Sequence, residues 1–264
     1  MAARNGQRFC LYHPPSDPAR GAVLYVHPWA EEMNKSRRMA ALQSRALAKA
    51  GYAVLQIDLH GCGDSSGDFG DATWEGWLDD VTLGSEWLRE RHRSPLSIWG
   101  LRAGCLLAAE AAQRIEDVDH LLFWQPVTAG RSMLQQFLRL KAVGDLDGAG
   151  AKATMETLRR QLASGNAVEI AGYALAPSLA AGLESSTLKT PPKVARLDWL
   201  EITTREDAGL LPISASLTEA WKSSGARVRT AVVAGPAFWQ TTEIEEAPAL
   251  IPATINAMQA AASG

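Results

Sequence analysis

The sequence predicts an α/β fold: a mostly parallel, twisted sheet with helices on both faces and a helical cap inserted past the middle of the chain. Three observations carry that expectation. Apolar runs short enough for buried strands alternate with helix-length segments. One strand–turn–helix junction, Leu96 to Ala112, carries a glycine on each side of its turn. Between residues 127 and 195 the alternation stops and helical patterns take over.

Arg8–His13 and Ala22–His27 read as two early strands joined by the turn Pro14-Pro15-Ser16-Asp17-Pro18. Residues 37–50 read as a helix closed by Gly51, and Ala53–Asp58 as a buried strand running into a glycine-rich loop. Asp71 or Thr73 can cap a helix that extends to Arg91. Leu96–Trp99 is a strand, Cys105–Ala112 a helix and Leu121–Trp124 the next strand. Met133–Leu140, Ala151–Leu162 and Ser178–Leu183 read as helices with no clear strand among them. Segment 127–195 is therefore expected to cap a core built from 1–126 and 196–264. Leu197–Ile202 resumes the sheet, followed by helix Ser214–Ser223, strand Val228–Val233 and helix Ala247–Ala261.

Composition excludes several classes. With 264 residues, 47% of them apolar, the chain can bury a large core in one domain. A net charge of −3 gives no electrostatic footprint for nucleic acid. No apolar run approaches the roughly 20 residues of a membrane helix, and the opening Met1-Ala2-Ala3-Arg4-Asn5-Gly6 has no signal-peptide character. Cys10, Cys62 and Cys105 fit neither a zinc nor a disulfide spacing. The expectation is a cytoplasmic protein with reduced thiols, no metal and no cofactor.

The junction Gly100-Leu101-Arg102-Ala103-Gly104 has the form of a nucleophile elbow, G-x-S-x-G between a strand and a helix. That points to an α/β-hydrolase fold. The central position, however, is Arg102, and a guanidinium stays protonated with no lone pair to attack a carbonyl. A general-base histidine belongs near the end of such a chain. His13, His27, His60, His92 and His120 are the histidines, and none follows the last strand, where Gly235-Pro236-Ala237-Phe238-Trp239-Gln240 stands instead. A literal G-x-S-x-G does occur at Gly63-Asp64-Ser65-Ser66-Gly67, but it lacks the strand before it and the helix after it, so Ser65 and Ser66 read as loop residues. Asp64, Asp68 and Asp71 read as turn and cap residues rather than metal ligands.

Other groups could act at the elbow. The loop His27 to Arg38 lies where hydrolases supply an oxyanion-hole N–H, yet it carries Glu31 and Glu32. These carboxylates can pair with Arg102, or with Arg37 and Arg38. Glu206 and Asp207 fall where a triad acid belongs, and Asp207 is retained as the candidate. His27, Trp29, Leu101, Trp124, Gln125, Phe238, Trp239 and Gln240 lie at strand ends, where open α/β sheets bind ligands, so they are candidate pocket walls. Core packing is the competing reading for the tryptophans, of which the chain has nine.

Five stretches carry a family resemblance: His27 to Met39, Gly61 to Phe69, Gly100 to Gly104, Trp124-Gln125-Pro126-Val127 and Phe238 to Glu246. Together they resemble the exosortase A system-associated hydrolase 2 group of the α/β-hydrolase superfamily. The resemblance spans nearly the whole chain and includes the arginine at the elbow. It implies a bacterial context of PEP-CTERM sorting and exopolysaccharide production, and it assigns no reaction. Three functions follow as expectations. The first is binding of an anionic acyl, sugar or lipid-linked ligand around Arg102, without triad chemistry. The second is hydrolysis of an ester or thioester by water, with Glu31 or Glu32 as base. The third is a non-catalytic scaffold whose partner is a second copy of the chain or a pathway protein.

Overall fold

The computed structural model describes residues 1–15, 18–142 and 148–260. Ser16 and Asp17 of the first expected turn, and Ala261 of the last expected helix, lie outside them. Among these residues a short hairpin, β1 (Ala2–Ala3) with β2 (Gly6–Gln7), precedes the main sheet. The sheet comprises β3 (Cys10–His13), β4 (Gly21–Val26), β5 (Tyr52–Ile57), β6 (Leu96–Leu101) and β7 (Val118–Trp124). A second hairpin, β8 (Val168–Ile170) with β9 (Tyr173–Leu175), stands apart from it. Strands β10 (Arg196–Thr203) and β11 (Val228–Ala234) complete the sheet. The spatial order is β11-β10-β7-β6-β4-β5-β3, and the pairs are parallel except β3, which runs antiparallel on β5 at one edge.

The helices are α1 (Glu31–Lys49), α2 (Trp74–Arg91), α3 (Gly104–Ala111), α4 (Gly130–Ala142), α5 (Gly148–Ala163), α6 (Pro177–Ser185), α7 (Pro212–Ser223) and α8 (Leu250–Gln259). The inner strands β4, β5, β6, β7 and β10 are buried on both faces because helices cover both. Val23, Tyr25, Val54, Trp99, Leu122 and Trp124 point into the layer under α1 and α8. Their alternating neighbours Leu24, Val26, Leu55, Ile98 and Leu121 point into the larger layer with α2 and α3. That period of two along each strand is the pleat.

Two expectations change. The helix expected from residue 37 begins at Glu31, so both glutamates sit in its first turn, where the helix dipole favours negative charge. Segment 127–195 is not purely helical. Alongside α4, α5 and α6 it folds β8 and β9 around a turn in which Ala171 (φ 50°) and Gly172 (φ 84°) both take the left-handed conformation. Of the two cap candidates for α2, Thr73 is used: its Oγ1 accepts the Gly76 N–H at 2.9 Å. Asp71 instead accepts the Asp68 N–H across one turn of 3₁₀ helix at Phe69–Asp71. No helix among the described residues is long and apolar enough to cross a membrane.

A rebuilt elbow at the carboxyl end of the sheet

Strand β6 ends at Leu101, opposite Trp124 at the end of β7, and the chain turns directly into α3. The turn is tight enough to demand its glycines. A Cβ on Gly100 would lie 2.7 Å from Cys105 Cα, and one on Gly104 would lie 2.5 Å from the Val26 carbonyl oxygen. Between them Arg102 takes φ 55°, a left-handed conformation disfavoured for a long side chain. Its N–H donates to the Trp124 carbonyl at 3.0 Å, which fastens the turn to the neighbouring strand.

Arg102 and Glu32 form an ion pair in which Nε and Nη2 both donate to Glu32 Oε1, at 3.3 and 3.2 Å. The two side chains are 13% and 5% exposed. The guanidinium carbon also lies 5.4 Å from the centroid of the Trp239 ring, within cation–π range. Arg102 Nη1 makes no hydrogen bond among the described residues. Burial pushes the Glu32 carboxyl up to about 7, against the opposing pull of Arg102. Several polar atoms around this pair are buried without a partner among the described residues: Glu32 Oε2, Glu31 Oε2, Trp29 Nε1 and Trp239 Nε1.

The remaining expected site residues fall into two groups. His27, Trp29, Leu101, Trp124, Phe238 and Trp239 are each 5% exposed or less and pack in the core. Trp29 meets Phe69, Trp77 and Phe137 edge-to-face at 5.5, 5.5 and 5.8 Å. Trp124 turns toward α8, donating from Nε1 to Thr254 Oγ1 at 2.9 Å. Gln125, at φ 42°, bridges two strand ends: its N–H donates to the Leu200 carbonyl and its Oε1 accepts the Ile202 N–H. Gln240 is exposed, and its carbonyl accepts Lys35 Nζ at 3.4 Å. Asp207 is exposed in the turn after β10 and has no ion pair with Arg102. Arg37 and Arg38 pair elsewhere, with Asp58 at 2.8 Å and with Glu246.

Two histidines of the central strands are committed to structure. His27 Nε2 accepts the Leu59 N–H at 3.2 Å, which leaves Nδ1 as the donor to the Pro28 carbonyl at 2.8 Å. Burial holds that ring neutral. His120 sits near the opposite, amino end of β7, 2.9 Å from Asp198, whose Oδ2 also receives Arg196 and Arg229. Ser65 of the literal motif is a latch: its Oγ donates to the Asp58 carbonyl and accepts the Phe9 N–H at 2.9 Å. Sequence reading missed a buried carboxylate, Glu201 on β10, which accepts from Trp199 Nε1 at 3.1 Å and from the Leu211 N–H at 2.7 Å. A charged residue inside an apolar strand was its available signal.

A seven-stranded sheet with an elbow at the carboxyl end of β6 defines a protein of the α/β-hydrolase fold. Est1E from Butyrivibrio proteoclasticus, with bound ferulic acid, is 15% identical over 97% of this chain and 96% of its own, with a TM-score of 0.69. A soluble variant of monoglyceride lipase from Saccharomyces cerevisiae, in complex with a substrate analog, is 14% identical over 100% and 93%, with a TM-score of 0.63. The chain belongs to the Hydrolase_4 family, serine aminopeptidase S33, whose model matches residues 17–184. It is 30% identical over 128 residues to Protein ABHD12B of Homo sapiens, a stretch covering 47% of this chain and 34% of that protein. It is 27% identical over 121 residues to uncharacterized protein RP471 of Rickettsia prowazekii, covering 45% and 49%. The chain thus matches between a third and a half of these relatives' length.

Proposed function

We propose that this α/β-hydrolase-superfamily protein binds the anionic group of an acyl, sugar or lipid-linked ligand at Arg102, without Ser-His-acid chemistry. The observation that carries the reading is the presentation of Arg102. Glu32 and Trp239 hold one edge and one face of its guanidinium, while Nη1 and the nearby Trp239 Nε1 keep unused donors. A carboxylate or phosphate is the acceptor such donors suit. The unpartnered Oε2 of Glu32 would accept from a hydroxyl on the same ligand. The resemblance to the exosortase A system-associated group supports placing that ligand in PEP-CTERM or exopolysaccharide chemistry on the cytoplasmic side. Segment 127–195 serves in this reading as a cap over the site.

The test is calorimetric titration with octanoate, glucose 6-phosphate and dodecyl phosphate. At least one binds the wild-type chain and weakens tenfold or more in Arg102→Ala, about 1.4 kcal/mol, while the variant stays folded. Equal binding by both chains sinks the reading. One observation favours a second reading, ester or thioester hydrolysis: a carboxyl poised at about 7 is matched to general-base work on water. It requires turnover of a p-nitrophenyl ester that is lost in Glu32→Gln, and retained turnover in both Glu31→Gln and Glu32→Gln removes it.

A further inference from the structure

A cavity of about 640 Å³ opens on the other side of the α1 start from Glu32. Ala30, Met33, Asn34 and Arg37 line it at the spacing of one helix face, whereas Glu32, Ser36 and Met39 belong to the buried face that meets the sheet. Its walls are aromatic. Phe69 and Tyr173 pack edge-to-face at 5.1 Å, and Phe9 stands at the rim with 42% of its surface exposed. The Met33 thioether adds a polarizable surface.

The charges around this cavity do not cancel. Arg37 is neutralised by Asp58, which also accepts the Asp64 N–H at 3.1 Å. The Asp64 carboxylate itself has no ion-pair or hydrogen-bond partner among the described residues. Tyr173 keeps its proton because burial, and then the nearby Glu31 carboxylate, both disfavour the phenolate. Glu31 Oε2 is buried without a partner among the described residues. Ring faces carry negative quadrupoles, so three rings and an unpaired carboxylate, with the Glu31 charge acting on Tyr173, together form a negative, apolar enclosure.

We infer that this cavity is a second binding site, separate from Arg102, for an organic cation: a primary amine or quaternary ammonium attached to an apolar body. The ammonium sits between Asp64 and the faces of Phe9 and Tyr173, and the apolar body lies against Phe69 and Met33. A volume of this size encloses a molecule of about 10–20 heavy atoms.

The experiment is ligand-observed NMR titration of the full chain with phenyltrimethylammonium, benzyl alcohol and benzoate. Phenyltrimethylammonium binds in the millimolar range, at least about fivefold tighter than either comparator, as cation–π attraction of about 1 kcal/mol requires. Its affinity falls with added salt and drops severalfold in Asp64→Asn and in Phe9→Ala. Both substitutions replace exposed side chains, so the fold is retained. Arg102→Ala leaves the titration unchanged, which separates this site from the elbow. Preferential binding of benzoate would show that Arg37 governs the cavity, and equal binding of benzyl alcohol would show an apolar hole without charge selection. Either result overturns the inference, as does an unchanged titration in Asp64→Asn or no binding of the cation.

Discussion

Arg102 reaches from the β6–α3 turn to the first turn of α1 and gives two donors to one oxygen of Glu32, leaving the other oxygen buried without a donor. The pair joins a strained turn to a helix start, and it places a titratable contact between them.

Burial of the Glu32 carboxyl, which the Arg102 contact opposes, makes stability depend on pH. The Glu32 carboxyl moves from 4.5 unfolded to about 7 folded. Because the folded state holds this proton more tightly, the contribution is full below 4.5, where both states are protonated, and is lost as pH rises through 7. The stability difference between wild type and Glu32→Gln, read by urea denaturation, falls by on the order of 3 kcal/mol from pH 4.5 to 8. A difference that is flat across this window contradicts the assignment.

Ser65 is expected to behave as a structural residue. Ser65→Ala removes bonds to the Phe9 N–H and the Asp58 carbonyl and costs about 1–3 kcal/mol in denaturant unfolding. Intact-mass spectrometry after fluorophosphonate treatment shows no adduct on Ser65 in the wild type. An adduct there would falsify the latch and restore a nucleophile.

Gly104→Ala tests how tightly the elbow is packed. The added methyl would meet the carbonyl oxygens of Val26 and His27 at 2.5 and 2.6 Å, and backbone cannot rotate away as a side chain can. The variant loses at least about 2 kcal/mol and melts several degrees lower. A wild-type melting temperature would mean that α3 can shift.

Gln43 offers the opposite test. It is fully buried in α1, and neither its amide oxygen nor its nitrogen has a partner among the described residues. Gln43→Leu keeps the volume and removes the unmet polar groups, so the protein gains about 1–2 kcal/mol. A lower melting point would point to an internal water bound by this amide.

The sheet and the elbow were readable because they rest on local signals: apolar runs, glycines that close packing demands, and helices between strands. The pairing of Glu32 with Arg102 was among the alternatives the residues allowed, but choosing it required knowing that α1 begins at Glu31. The signal was present, since two acids in succession suit a helix's first turn, yet the charged run to Arg38 resembled a loop. The β8–β9 hairpin was invisible for a different reason. Its strands are three residues long, too short to display a period of two, and its turn residue Ala171 is not one that favours a positive φ. Tyr173 carried no signal at all, because its place beside Phe69 is set by tertiary packing.

The ring contacts joining Trp29 to Phe137 of α4, and Phe69 to Tyr173 of β9, tie segment 127–195 to the sheet through interlocked aromatic edges. That segment cannot swing outward without exposing these rings to water together. Any parting of this joint would therefore move the buried indole of Trp29 toward water and shift its emission to the red.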